Sequence, residues 1–410
     1  MRRLPAAVLA LTCAAAGAAT SGAVVATASG TPAVTAAERP ALAPSRGLQH
    51  AELVGRAVLP ARTYGEQVPS GAALQPTNGV AVPFPAQPVQ GVSSVLPQRD
   101  GTVLALSDNG YGAKGNSADY LLRVNRLRAD ARSGQVAVVG GFGLSDPDGK
   151  VPFPLTRADR RLTGADFDPE SFRRLPDGTF VFGEEFGPFL LRTSATGVVL
   201  DAPVPLPGVA SPQDPLGRPA TLGGSKGFEG LALTVDGRDL LALLEGPVAG
   251  DEPQDLRLYR FDLATRAYEP GPLRYRLEHP ASAIGEITAV DAHRYLVLER
   301  DGGQGDAARF KAVFLVDTRD LDRDGAVDKQ LLVDLLAVPD PQGLGPDGAF
   351  FRMPFQTIES VALVDDETLL VVNDNNFPFS SGRGAGAPED TELVAIRLGT
   401  PLGADRRALP

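Results

Sequence analysis

Five stretches of the chain share one pattern, and a repeat constrains a fold more than any single motif. They are VQGVSSVLPQRDGTVLALSDNG (89–110), FDPESFRRLPDGTFVFGEEFG (167–187), SKGFEGLALTVDGRDLLALLEGP (225–247), IGEITAVDAHRYLVLERDG (284–302) and TIESVALVDDETLLVVNDNN (357–376). Each reads as a short apolar strand, a tight turn, a second apolar strand and an acidic or amide cluster. The turn is Asp-Gly at Asp100-Gly101, Asp177-Gly178 and Asp236-Gly237. That dipeptide between two strands predicts a type I′ hairpin. A third strand follows each hairpin: YLLRVN, FLLRT, LRLYRFDL, AVFLVD and ELVAIRL. No long segment holds a 3.6-residue period, and 46 Gly and 36 Pro break up any helix.

Antiparallel meanders repeated along one chain predict an all-β fold, a β-propeller of about five to six blades. The early strand ELVGRAVLP is placed to complete the last blade and close the ring. A β-sandwich is the structural alternative, but it does not account for so consistent a repeat. The propeller domain is expected over 51–400, with a short tail at 401–410.

The innermost strand of each blade lines the central channel. Aligning the repeats puts Ser93, Glu170, Glu229, Glu286 and Glu359 at one position, so the four glutamates are read as a ring and as candidate catalytic groups. Asp108, Asn109, Glu184, Glu185, Glu245, Glu299, Asp374 and Asn375 fall at the neighbouring strand ends. Carboxylates crowded together cannot all stay ionised without compensation. Hard cations such as Ca²⁺, which take six to eight oxygen ligands, supply it. Backbone N–H groups or arginines supply it equally, as a structural latch. Recurrence alone does not decide between the two.

A second acidic motif lies in DTRDLDRDGAVDKQLL, where Asp320, Asp322, Asp324, Gly325 and Asp328 reproduce the front half of an EF-hand-type loop. Its twelfth position is Leu331 rather than Glu, so a calcium held there is weakly bound and structural. Basic side chains near the acids, Lys226, Arg309 and Lys311, are candidates for phosphate oxygens. The alternative for each is local ion pairing.

Gly223-Gly224-Ser225-Lys226-Gly227 fits G-x-S-x-G, but a nucleophile elbow needs a strand before it and a helix after it, and neither is predicted here. The chain has three histidines and one cysteine, which argues against histidine-based phosphatase chemistry and against His/Cys zinc sites. Carboxylate and metal chemistry remains. The net charge of -11 argues against nucleic acid as a partner and suits divalent cations.

Residues 1–28 read as a secretory signal peptide: MRR, an alanine-rich apolar run, then the A-x-A site Ala26-Thr27-Ala28. Residues 29–50 read as a flexible Ala/Pro-rich tether. No other stretch is long and apolar enough to span a membrane. A secreted, extracellular protein is expected.

GFEGLAL, FDPESF…LPDGTFVFGEEFGP…LLR, LVLERD and IESVAL…LLVVNDN resemble, in this order and over 52–398, the phytase-like (esterase-like activity of phytase) domain of exported bacterial proteins. The resemblance implies a β-propeller and a secreted hydrolase of phosphate esters. The positions matching its motifs are Glu170, Glu184, Glu185, Glu229, Glu299, Glu359, Asn373 and Asp374. The chain departs from the repeat at Ser93, where no acid stands, and at His293, where the Asp-Gly turn is lost.

The reading that follows is a calcium-dependent phosphoesterase acting on a small phosphate ester at an acidic channel mouth. A lactonase-type or carboxyl-ester hydrolase with an axial divalent metal, using Glu170, Asn109 and Asp374, is the rival enzyme class. A non-enzymatic extracellular binding propeller is the third.

Overall fold

The computed structural model describes residues 51–130 and 132–410. The expected signal peptide and tether lie outside the described residues. The described chain is built from strands, with one 3₁₀ turn at Gly305–Ala307 as its helical element.

Strand β1 (Glu52–Leu59) precedes five meanders. The first is β2 (Val92–Pro97), β3 (Val103–Ser107), β4 (Arg123–Asp130) and β5 (Gln135–Gly143). The second is β6 (Pro169–Arg174), β7 (Phe180–Glu184), β8 (Phe189–Thr193) and β9 (Val204–Pro205). The third is β10 (Phe228–Leu233), β11 (Asp239–Leu244) and β12 (Asp255–Asp262), with β13 (Ala267–Tyr268) and β14 (Leu273–Arg276) both on β12. The fourth is β15 (Ala283–Ala289), β16 (Arg294–Arg300), β17 (Lys311–Leu321) and β18 (Val327–Asp334). A two-stranded ribbon, β19 (Val338–Pro339) and β20 (Phe350–Phe351), leads into the fifth: β21 (Thr357–Leu363), β22 (Thr368–Asp374) and β23 (Thr391–Arg397).

β1 pairs antiparallel with β23 from Glu52↔Arg397 to Leu59↔Thr391, so the early strand completes the fifth meander, as expected. A single parallel pairing, Val58↔Gln135, joins that meander to the first and makes an eight-stranded sheet. The first strands of the meanders touch in the order β2, β6, β10, β15, β21 and back to β2. Five apolar clusters fill the gaps between neighbouring meanders. Leu104 and Phe172 share one, Val181 and Leu240 the next, Leu243 and Val297 the third, Leu296 and Val371 the fourth, and Val95 and Val372 the fifth. The architecture is all-β and propeller-like. Because both faces of the inner strands are covered, they read as apolar runs rather than alternating ones.

The hairpin turns differ from the expected type I′. Gly101, Gly178 and Gly237 have φ of 76, 85 and 73°, while the aspartate before each stays at negative φ. Gly101 N–H donates to the Gln98 carbonyl and Gln98 N–H to that of Thr102. This is a three-residue loop with one left-handed glycine. Each aspartate instead caps the turn: Asp100, Asp177 and Asp236 accept the N–H two residues ahead. Asp291 and Asp365 accept in the same way where glycine is missing, which explains how the turn at His293 survives.

Every inner hairpin carries a register shift at one place. It falls between Val92 and Ser94, Pro169 and Ser171, Phe228 and Gly230, Ile284 and Glu286, and Ile358 and Ser360. The extra residue of each β-bulge is Ser93, Glu170, Glu229, Gly285 or Glu359. A bulge re-aims its side chain and ends regular pairing, and here it does so at the same end of every inner strand.

Candidate active site at the channel mouth

The bulge register corrects the ring. Its fourth member is Gly285, not Glu286. The Glu286 side chain lies one residue deeper and is fully engaged: it accepts from Ser94 Oγ at 2.5 Å, from the Ile287 N–H at 2.9 Å and from the Leu231 N–H at 3.4 Å. It also pairs with Arg173 at 3.0 Å. Glu286 is a latch across the channel, not a mouth group.

A second ring comes from the residue that follows, on each second strand, the partner of the residue just before the bulge. The pairs Val92↔Ser107, Pro169↔Glu184, Phe228↔Leu244, Ile284↔Glu299 and Ile358↔Asn373 are equivalent. The next residues are therefore Asp108, Glu185, Glu245, Arg300 and Asp374. Four acids and one arginine occupy the ring. The arginine escapes a sequence search for acids, because Glu299 beside it mimics the acidic pattern.

The two rings meet in two carboxylate groups. Asp168, Glu170 and Glu185 place oxygens within 4.8 Å of one another, and so do Glu185, Glu229 and Glu245. Glu185 belongs to both. Asp168 was not anticipated: the two neighbouring repeats carry Gly91 and Gly227 two residues before the bulge, and alignment to them hides it.

The two groups differ in compensation. Arg300, 8% exposed, reaches Glu359 at 2.8 Å, Glu245 at 3.5 Å and Glu229 at 3.8 Å. Lys226 pairs with Glu245 from the rim. Asp168, Glu170 and Glu185 have no ion pair with a basic side chain among the described residues. Asp168 accepts the Asn109 N–H at 3.2 Å, and Glu185 Oε1 is buried with no hydrogen-bond partner. Glu229 Oε1 also makes no hydrogen bond, though it faces Arg300 at 3.8 Å.

Burial pushes Glu170 and Glu185 well above the carboxylate range, and the nearby Asp168, Glu229 and Glu245 charges add to it. Burial does the same to Asp108, with Asp374 and Asp168 contributing. Glu229 rises by burial and by the charges of Glu245 and Glu359. Glu359 is pushed up to about 8, burial outweighing Arg300, and Asp374 to about 6. A hard divalent cation fits the uncompensated group: it offers oxygens only, it is crowded, and one ligand oxygen has no other use.

Other expected ligands stand elsewhere. Asn109 Oδ1 caps a loop, accepting the Tyr111 and Gly112 N–H groups at 3.0 and 2.7 Å. Glu184 accepts the Phe186 and Gly187 N–H groups at 2.9 and 2.6 Å. Glu299 points between meanders, taking Tyr275 OH and Lys329 Nζ, each at 2.9 Å. Lys311 is fully buried and spends its donors on the Asp301 and Gln356 carbonyls. Arg309 binds the Asp306 and Ala308 carbonyls.

The aspartate loop is the β17–β18 connection. Asp322 Oδ1 accepts the Asp324 and Ala326 N–H groups, both at 3.1 Å, and Asp324 is held by Arg274 and Arg276. Asp320 and Asp328 sit in the flanking strands. These four form no three-carboxylate group among the described residues. Ser225, at φ 46°, precedes β10 with no helix following, so the strand-and-helix context of a nucleophile elbow is absent, as expected.

The family model for phytase-like proteins, described as esterase-like activity of phytase, matches residues 87–377. The chain belongs to the phytase-like family. The match spans the four complete inner hairpins from β2 to β16 and reaches just past the end of the fifth, so both rings lie within it. No curated protein matches this phytase-like chain. Solved structures overlap it loosely. A luciferin-regenerating enzyme shares 14% identity, with 77% of this chain and 79% of that one covered and a TM-score of 0.38. The PQQ-bound aldose sugar dehydrogenase of Streptomyces coelicolor shares 14%, over 85% and 99%, at 0.37. A GH43 β-1,3-galactosidase shares 9%, over 84% and 60%, at 0.43. Among the described residues, no helix is long and apolar enough to cross a membrane.

Proposed function

We propose that this phytase-like protein is an exported, cation-dependent phosphoesterase, with the five meanders as five blades and its site at the bulged end of the channel. One observation carries the reading: Asp168, Glu170 and Glu185 converge without a basic partner, beside an arginine that neutralises the opposite side of the ring.

Asp168, Glu170 and Glu185 would hold the cation, and calcium suits a set made only of oxygens. A cation there supplies Lewis-acid polarisation of the ester's phosphoryl oxygen. Arg300 keeps Glu359 and Glu245 from repelling an incoming anion. Lys226, its side chain 41% exposed beside Glu245, meets phosphate oxygens at the rim. Glu229, pushed well above the carboxylate range by burial and by the Glu245 and Glu359 charges, is suited to protonate the leaving alkoxide.

The test is hydrolysis of p-nitrophenyl phosphate and p-nitrophenyl acetate with calcium or chelator, for wild type and Asp168→Asn/Glu170→Gln. Calcium-dependent release from the phosphate, lost in the double variant, is expected. Release from the acetate alone would favour the carboxyl-ester class. Calcium binding without turnover of either would favour a binding propeller.

A further inference from the structure

The far ends of the inner strands form a second mouth. There a cavity of about 840 Å³ is walled by β2, β6, β10, β15 and β21, by the turns that follow three of them, and by residues 407–410. That size suits a small-molecule ligand. Arg173 and Glu286 separate it from the acidic mouth: Arg173 lines the cavity, while its guanidinium bonds Ser94 Oγ and the Ile287 carbonyl and pairs with Glu286 across the channel.

The charge on this cavity is the reverse of the protein's. Arg99, Arg126, Arg173, Arg174 and Arg407 line it, against Asp100 and Asp236. The two aspartates are accounted for. Asp100 pairs with Arg126 at 3.1 Å and caps its own turn, and Asp236 caps its turn and faces Arg238 at 3.9 Å. Arg407 is held by Asp405 at 2.6 Å and Arg173 by Glu286. The side chains of Arg99 and Arg174 make no hydrogen bond or ion pair among the described residues. They project from the β2–β3 turn and the end of β6, two neighbouring inner hairpins. In a chain of net charge -11, two uncommitted guanidinium groups at one concave site have no structural duty.

We propose that this cavity binds a small polyvalent oxyanion, clasped by Arg99 and Arg174, with the apolar wall of Val95, Leu233, Ala362 and Leu409 receiving an organic body. The fork of each guanidinium matches phosphate or carboxylate oxygens in bidentate fashion. This site is distinct from the hydrolytic one, since the Arg173–Glu286 pair lies between them.

Calorimetric titration of buffer-exchanged, metal-free protein with inorganic pyrophosphate, and separately with citrate, tests it. One equivalent should bind, more weakly as salt rises. Arg99→Ala/Arg174→Ala should weaken binding by about tenfold or more, as expected for charge-assisted bidentate contacts. Both residues are exposed, so this variant should melt like wild type. The preferred probe tells phosphate from carboxylate ligands. Absence of binding up to millimolar probe, or equal affinity in the double variant, would overturn the proposal. Loss in Lys226→Ala instead would move the site to the acidic mouth and overturn it too.

Discussion

Arg300 donates to Glu359 at 2.8 Å from the ring position where the other four hairpins carry Asp108, Glu185, Glu245 and Asp374. One cation thus stands among acids that the repeat would otherwise have made complete. Glu229 and Glu245 lie within 3.8 and 3.5 Å of the same Nη2. Removing one partner of a buried ion pair costs about 3–5 kcal/mol, because the remaining charge is stranded. Arg300→Met should show a loss of that order at pH 8 and a smaller one at pH 5, where the stranded glutamates take up protons. Urea unfolding at both pH values reads it. A loss independent of pH would mean that Arg300 acts through packing alone.

The acids also set a pH dependence for the metal-free protein. Glu359 is pushed up to about 8 and Asp374 to about 6 by burial, and Glu184 to about 8 for the same reason. Unfolded carboxylates titrate near about 4. A folded pKa above the unfolded one means that the folded state binds more protons over the interval between them. The contribution of these groups is then complete below about 4 and is lost as pH rises through 6 to 8. Surface carboxylates such as Asp405, lowered to about 2 by Arg407, act in the opposite sense and lose their contribution as pH falls through 4 to 2. The melting temperature without metal should therefore peak near pH 5 and decline towards pH 9. Calcium should restore it at the alkaline end. A flat profile between pH 5 and 9 would contradict the buried, uncompensated ring.

Much of this was legible in the chain. Recurring short apolar runs, recurring turns and the early strand ELVGRAVLP led to the right class of fold and to the closure of β1 on β23. The acids that form the site were visible as a set, but their grouping was not. A β-bulge shifts register by one residue, and nothing in IGEITAV distinguishes a bulge at Gly285 from one at Glu286. Asp168 was hidden because the repeats around it carry glycine. Which carboxylates would be spent on backbone N–H groups, as Glu184 is, depends on loops that do not repeat.

Glu286 offers a direct check on that register. It accepts from Ser94, Leu231 and Ile287 and pairs with Arg173, so its role is to tie four meanders together below the mouth. Glu286→Gln should destabilise the fold, since Arg173 keeps its charge and loses its counterion, but should leave calcium affinity unchanged. Denaturant midpoints and calcium titration together separate the two effects. Weakened calcium binding in a folded Glu286→Gln protein would return this residue to the mouth.

Glu185 should behave in the opposite way. It is 4% exposed, it belongs to both carboxylate groups, and its Oε1 has no partner. A buried charge without a counterion costs the fold more than a neutral amide of the same shape. Glu185→Gln should therefore raise the melting temperature of the metal-free protein at pH 8, where the carboxylate is under the greatest pressure to ionise. The same substitution should abolish the stabilisation that calcium gives the wild type, because the one ligand shared by both groups is gone. Melting curves of both proteins with chelator and with calcium decide it in one experiment. A structural latch predicts the reverse pair of outcomes: a lower melting temperature in chelator and an undiminished response to calcium.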